Sequence, residues 1–141
     1  MLYLVATPIG NLCDISKRAV QTLSEVDFIA AEDTRVTRKL LEFLGIKKQL
    51  VSYHEHNRRE SGEMITGRLL SGEKCALVTD AGTPGISDPG EELVRLCSEA
   101  GIPIVIIPGP CAAVAALTLS GLNAGRFTFE GFLSTSKKKT F

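Results

Sequence analysis

Tryptophan is missing from this 141-residue chain, aromatic residues make up only 6% of it, and neither sign of charge is in excess. Sixteen lysines and arginines balance sixteen aspartates and glutamates, so the formal net charge is zero. A strongly basic surface, the usual electrostatic mark of a nucleic-acid-binding domain, is therefore not expected. With 44% hydrophobic and 23% charged residues, the composition excludes a disordered or collagen-like chain and fits one globular domain.

Signals for secretion, membrane insertion and zinc binding are also lacking. The first residues carry no basic side chain and run into a turn at 7–10, unlike a signal peptide. The four cysteines show no C-x-x-C spacing, and we interpret them as reduced thiols of a cytoplasmic protein. Residues 100–125 carry no charge, but prolines interrupt them, so we predict a buried strand and a buried helix rather than a membrane span.

The common nucleotide-binding and catalytic motifs are absent as well. No G-x-G-x-x-G follows the first apolar block, and residues 62–69 share only the glycines of a phosphate-binding P-loop. Neither G-x-S-x-G nor H-E-x-x-H occurs. His54 and His56 could ligate a metal, but we expect a strand end that brings one histidine to each face, so no metal site is predicted. These absences disfavour a Rossmann dehydrogenase and a P-loop nucleotide hydrolase.

Five short apolar blocks are each followed by a turn and a segment with helical periodicity. The blocks are residues 2–6, 28–31, 50–52, 75–79 and 103–107. This alternation predicts an α/β domain, built on a mostly parallel five-stranded sheet with helices on both faces. We assign residues 1–133 to this domain and the polar, basic residues 134–141 to the start of a linker.

Three of the predicted helices carry specific expectations. Asp14 can cap the first helix, and Val36 is expected on the buried face of the second. Asp88 is expected to cap the fourth helix, with Ala100 in its buried stripe. A capping role explains Asp88 without any catalytic function.

Functional residues of a parallel sheet lie at the carboxyl ends of its strands, where this sequence has four unusual turns. The turns span residues 7–11, 32–35, 80–90 and 108–113. Three of them are rich in glycine and proline and poor in charge, so their backbone can approach a ligand closely. Such uncharged walls suit an adenosine-like ligand better than a triphosphate.

The turn at 32–35 differs because it is charged. Glu32 and Arg35 follow a buried strand and need either partners or a function at that position. A solvent-exposed ion pair explains them as well as a substrate contact does. Asp33 or Thr34 can cap the helix that follows.

Taken in order, the strand-end segments resemble the motifs of one family. They read V-A-T-P-I-G-N-L-x-D-I at 5–15, A-E-D-T-R at 31–35, T-D-A-G-T-P-G-I-S-D-P-G at 79–90 and I-P-G-P-x-A at 107–112. Together they resemble the tetrapyrrole (corrin/porphyrin) methylase superfamily and, within it, the branch that modifies ribosomal RNA. The resemblance covers the whole chain, and the turn at 80–90 is its most specific part.

This resemblance implies a function and a domain arrangement. It implies an enzyme that uses S-adenosylmethionine to methylate the ribose 2′-hydroxyl of a cytidine in small-subunit ribosomal RNA. Members of the superfamily have two α/β domains, bind the methyl donor in the cleft between them and usually form homodimers. The linker at 134–141 would then lead to a second domain that this chain does not contain.

Site residues are implied in the same way. The contacts to the methyl donor would be made by Pro8, Ile9, Gly82, Thr83, Ile86, Pro110, Cys111 and Ala112. Glu32 and Asp33 are the candidates for a catalytic base, with Asp80 behind them. Arg35 would bind RNA phosphate or orient a carboxylate.

Two alternatives stay open at this point. The same donor site could serve a tetrapyrrole acceptor, although A-E-D-T-R and D-A-G-T-P favour the RNA branch. The domain could also be a non-catalytic module that binds a nucleotide or a partner through the same cleft.

Overall fold

The computed structural model describes residues 1–133, which form five strands and five α-helices. The strands are β1 Leu2–Val5, β2 Phe28–Ala31, β3 Gln49–Ser52, β4 Cys75–Val78 and β5 Ile104–Ile107. The helices are α1 Lys17–Glu25, α2 Thr34–Leu44, α3 Arg58–Leu70, α4 Gly90–Glu99 and α5 Ala112–Leu119, and a 3-10 turn spans Leu12–Asp14. The predicted linker at 134–141 lies outside the described residues.

The five strands form one parallel sheet in the order β3-β2-β4-β1-β5. In the middle of the sheet Leu4 of β1 pairs with Leu77 of β4, and Leu77 pairs with Ala30 of β2. Within residues 1–133, β5 is an edge strand that pairs with β1 alone. The predicted parallel five-stranded α/β sheet is therefore confirmed.

Helices cover both faces of the sheet because the chain reverses its direction across the sheet after β3. Right-handed crossovers that run in opposite directions place their helices on opposite faces. One core lies under α1 and α2 and includes Leu23, Ile29 and Leu41. The other lies under α3 and α4 and includes Phe28 and Leu93. Ile29 and Phe28 point to different cores because successive strand residues alternate between faces.

Two predictions for the first two helices are wrong. Ser16 caps α1 by accepting a hydrogen bond from the Ala19 N–H at 3.0 Å, whereas Asp14 ends the 3-10 turn before it. Val36 is 40% exposed, and its neighbour Thr37 is buried instead. Consecutive helical residues differ by about 100° in direction, so only one of these two side chains can face the sheet.

The apolar region from β5 onward is more exposed than predicted. Ile106 on the edge strand is 46% exposed, and α5 contains no buried residue although it reads A-A-V-A-A-L-T-L. The predicted buried helix is wrong, because no other element within residues 1–133 covers α5. Ala100, predicted in the buried stripe of α4, is also exposed because it is the C-cap residue of that helix. Within residues 1–133, no helix is long and apolar enough to cross a membrane.

Candidate functional site

The candidate site lies at the carboxyl edge of the sheet, where the chain after β1 and the chain after β4 diverge. These strands are neighbours, but the helices that follow them lie on opposite faces. In open α/β sheets such a divergence leaves a crevice in which ligands bind. The long turn after β4 contacts the turns on both sides of it, so it is the centre of this edge.

A short antiparallel bridge joins the turns after β1 and β4. Thr7 donates its N–H to the Gly82 carbonyl at 2.9 Å, and Gly82 returns its N–H to the Thr7 carbonyl at 3.0 Å. Gly82 has φ +81°, a left-handed conformation that favours glycine. A Cβ added there would lie 3.6 Å from Ile9 and 3.7 Å from the Pro110 carbonyl oxygen. The bridge therefore brings three chain segments together around one glycine.

The turn after β5 is tied to the same point. The Thr83 hydroxyl donates a hydrogen bond to the Pro110 carbonyl at 3.3 Å. Gly109 approaches β1 so closely that an added Cβ would lie 2.9 Å from the Cβ of Ala6. Pro110, Cys111 and the start of α5 are thus held beside the Thr7–Gly82 bridge.

The residues predicted to contact the methyl donor do not all share one environment. Five of them, Pro8, Ile9, Gly82, Thr83 and Pro110, lie around the bridge. Cys111 and Ala112 begin α5, and the Cys111 side chain makes no capping hydrogen bond. Ile86 lies further along the turn after β4, where its side chain is exposed.

Asp33 and Arg35 form a local structural unit at the start of α2. The Asp33 carboxylate caps the helix by accepting the Arg35 N–H at 2.8 Å. It also accepts hydrogen bonds from the Arg35 guanidinium, at 3.0 Å from Nε and 2.7 Å from Nη2. These hydrogen bonds hold the pKa of Asp33 well below its ordinary value. A carboxylate stabilised in this way is a weak base, which disfavours the catalytic role predicted for Asp33.

Glu32 has the opposite electrostatic environment. Its half-buried position raises the pKa of its carboxyl above the ordinary value, and the negative charge of Asp80 raises it further. Asp80 comes from the adjacent strand end and accepts the Asp33 N–H at 3.2 Å. Glu32 and Asp80 follow the neighbouring strands β2 and β4, and we refer to them as the carboxylate pair. Burial combined with a neighbouring like charge is typical of a catalytic acid or base.

Asp88 organises the turn after β4, although the N-cap residue of α4 is Pro89 and not Asp88 as predicted. Its carboxylate accepts the Gly90 N–H at 2.7 Å, at the start of α4. It also accepts the Gly85 N–H at 2.8 and 3.0 Å and the Ile86 N–H at 3.1 Å. The adjacent Ser87 has φ +58°, a conformation rare outside glycine. In the sequence, this role is indicated by the position of Asp88 between the closely spaced glycines Gly85 and Gly90.

No group of three or more possible metal ligands occurs within residues 1–133. His54 and His56 lie in a turn rather than in a strand, with ring centroids 5.8 Å apart. The expectation that they face opposite sides is wrong, because these residues are not in a strand and because residues two positions apart in a strand would share a face.

These features define a class of protein: a parallel α/β domain with backbone-rich turns at a strand crevice and a carboxylate pair beside them. A family model described as "Tetrapyrrole (Corrin/Porphyrin) Methylases" matches residues 1–140. The chain belongs to this family.

Among known proteins, the chain is similar to several described as "Ribosomal RNA small subunit methyltransferase I". The protein from Synechocystis sp. is 57% identical over 138 residues, which are 98% of this chain and 50% of that protein. The protein from Haemophilus influenzae is 54% identical over 138 residues, 98% of this chain and 49% of that protein. The chain thus spans about half the length of the curated relatives it matches.

A solved structure of diphthine synthase has a similar fold, with a TM-score of 0.71 and 22% sequence identity. The similarity covers 90% of this chain and 51% of that one. At this level of identity, the comparison confirms the fold alone.

Proposed function

We propose that this chain is the donor-binding half of an S-adenosylmethionine-dependent methyltransferase whose acceptor is the ribose 2′-hydroxyl of a cytidine in small-subunit ribosomal RNA. The observation that carries the reaction class is the carboxylate pair next to the backbone-rich turns around the Thr7–Gly82 bridge. Ribosomal RNA as the substrate is supported by the names of the similar proteins.

The residues around the bridge fit such a donor chemically. S-adenosylmethionine supplies a methyl group on a positively charged sulfur and carries an uncharged nucleoside. Pro8, Ile9 and Gly82 offer an uncharged wall, and the backbone bends at Gly82 without a side chain to exclude a ligand. The carbonyl oxygen of Pro110 adds a partial negative charge that complements a cation. We assign donor binding to these residues together with Thr83, Ile86, Cys111 and Ala112.

Glu32 is the catalytic base in this proposal. A 2′-hydroxyl must lose its proton as its oxygen attacks a methyl group, and a positioned base contributes about 10² to 10⁴-fold to such a step. The raised pKa of Glu32 brings its basicity closer to neutral pH. Burial is the main cause of the raised pKa of Glu32, and the charge of Asp80 adds to it.

Arg35 and Asp33 have supporting roles. Their mutual hydrogen bonds fix the start of α2 next to Glu32, so Asp33 is a positioning residue. The Arg35 side chain is largely exposed, and its guanidinium retains donors for an RNA phosphate beyond those it gives to Asp33. The net charge of zero is compatible with RNA binding if the contacts come from local cations such as this one.

The proposal is tested by methyl incorporation from labelled S-adenosylmethionine into purified small ribosomal subunits, using the protein at the full length of its relatives. We expect Glu32→Gln to lower kcat by about 10² to 10⁴-fold. Glu42→Gln, an exposed carboxylate on α2 outside the site, is the matched control and should keep full activity. Transfer to uroporphyrinogen instead of ribosomal subunits would refute the RNA acceptor. Full activity of Glu32→Gln would refute the base.

We also propose that a second domain and a homodimer complete the protein, which acts in the cytoplasm where ribosomes are made. The exposed α5 supports this, because an eight-residue helix without a buried side chain gains stability only from a covering surface. Light scattering should show a dimer for the full-length protein. The proposal would be contradicted by a full-length protein that stays monomeric and whose α5 amide hydrogens exchange with solvent as fast as in the 141-residue chain.

A further inference from the structure

A cavity of about 370 Å³ lies between the 3-10 turn and α2, next to the carboxylate pair. We call it the α2 cavity, and its walls include Pro8, Leu12, Val36, Leu40 and Asp80. We propose that the α2 cavity binds the base of the acceptor nucleotide and selects bases that carry an exocyclic amino group. The inference rests on the proposed function and names the substrate group that this side of the site recognises.

The walls of the α2 cavity suit a flat, weakly polar ring. Leu12 is 43% exposed and Val36 is 40% exposed, although both are large apolar side chains. They come from different elements and line the same cavity. Enzymes that modify a nucleotide commonly take its base out of the stack and hold it between apolar or aromatic side chains. The volume also lies within the range of small-molecule sites, roughly 300 to 1,000 Å³.

The polar groups that line the α2 cavity are Lys39, Asp80 and the hydroxyls of Thr7, Thr37 and Thr79. The Thr7 hydroxyl donates to the Thr79 carbonyl at 3.3 Å, and the Thr79 hydroxyl donates to the Ala81 carbonyl at 3.2 Å. Both hydroxyl protons are therefore already used. Asp80 accepts only the Asp33 N–H among the hydrogen bonds of residues 1–133, which leaves a carboxylate oxygen available.

An available carboxylate distinguishes between bases. It accepts a hydrogen bond from the amino group of cytosine, adenine or guanine. Uracil presents a carbonyl oxygen at the position of the cytosine amino group, which leaves two acceptors facing each other. A site built to pair with a substrate N–H discriminates strongly against an analogue that lacks it.

The charges around the α2 cavity match the rest of a nucleotide. Lys39 lines the cavity and offers an ammonium group to a backbone phosphate. Asp80 and Glu32 follow the neighbouring strands β4 and β2, so the residue that would hold the base comes from the strand end beside that of the proposed catalytic base. By contrast, a larger depression of about 650 Å³ beside α4 is lined mainly by charged side chains and offers no comparable apolar walls.

The test is a titration of the 141-residue chain with cytidine monophosphate and uridine monophosphate, followed by ¹H–¹⁵N NMR. We expect cytidine monophosphate to shift the amide signals of Leu12, Val36 and Asp80, with Kd on the order of 1 mM. Uridine monophosphate should bind at least about 10-fold more weakly, which corresponds to about 1.4 kcal/mol. Signal changes confined to other surfaces, or equal affinity for both nucleotides, would overturn the proposal.

Three variants make the test specific. Val36→Trp fills the α2 cavity and should weaken cytidine monophosphate binding at least about 10-fold. Phe43→Trp is its control, because Phe43 is also exposed on α2, at 56%, but does not line the cavity. Asp80→Asn should bring the two affinities close together, since an amide both donates and accepts. A Val36→Trp variant that binds like Phe43→Trp would rule out the α2 cavity.

This readout is independent of methyl transfer. If the α2 cavity keeps its preference for cytidine monophosphate but the full-length protein does not methylate ribosomal subunits, the proposed function fails and the binding site stands. If methylation occurs without any nucleotide preference at the cavity, the binding site fails and the proposed function stands.

Discussion

Replacing Asp88 by alanine should destabilise the domain by about 3 kcal/mol, because one carboxylate satisfies three backbone N–H groups. Gly90 is buried, so its N–H loses its partner without access to water, at a cost of about 1 to 3 kcal/mol. Gly85 is half-buried and Ile86 is exposed, so water can replace part of their two hydrogen bonds. We assign about 0.5 kcal/mol to each of them.

Equilibrium unfolding in urea measures this effect. With a urea dependence of about 2 kcal/mol per molar, a loss of about 3 kcal/mol lowers the midpoint of unfolding by about 1.5 M. Asp88→Asn keeps one oxygen acceptor and should lose about half as much. Glu91→Ala is the matched control, because Glu91 is an exposed acid in the same first helical turn and should cost only a few tenths of a kcal/mol.

Unfolding of Asp88→Ala and Glu91→Ala at the same urea concentration would refute this stabilising role of the Asp88 carboxylate. Hydrogen exchange provides a second measurement, since the Gly90 amide should exchange faster in Asp88→Ala and keep its protection in Glu91→Ala. Unchanged protection of Gly90 would mean that the 2.7 Å hydrogen bond does not stabilise the turn.

Further substitutions test single features of the fold. Burial raises the pKa of Glu32 in the folded state, so stability should fall as pH rises from its unfolded pKa through its folded pKa. Glu32→Gln should remove this part of the pH dependence. Thermal unfolding of both proteins between about pH 4 and pH 7 measures it, and a wild-type stability that rises with pH relative to Glu32→Gln would contradict the prediction. Gly109→Ala should cost about 1 to 3 kcal/mol in urea unfolding because its Cβ would lie 2.9 Å from the Cβ of Ala6, and wild-type stability would contradict that close approach. Within residues 1–133 the buried hydroxyl of Tyr53 has no hydrogen-bond partner, so Tyr53→Phe should be neutral or gain up to about 1 kcal/mol, and a clear loss of stability would contradict this prediction.

The apolar patterns predicted the elements well where residues beside each other in the chain decide the outcome. Each of the five strands lies within or overlaps a predicted block, and Asp33 caps α2 as the sequence allowed. Composition was misleading at α5, because apolar residues predict burial only if another element is present to cover them. No such element lies within residues 1–133.

By itself, the sequence determined the parallel α/β architecture and the turns that carry the family motifs, because both depend on local hydrophobic spacing and on the conformational preferences of glycine and proline. Only the tertiary structure decided the electrostatic environments of the acids. Glu32 and Asp33 are adjacent in the chain, yet burial and Asp80 raise the pKa of one while Arg35 lowers that of the other. The hydrogen bond between Asp33 and Asp80 joins residues 47 positions apart. Such contacts depend on strand order and on burial from water, which no local pattern specifies.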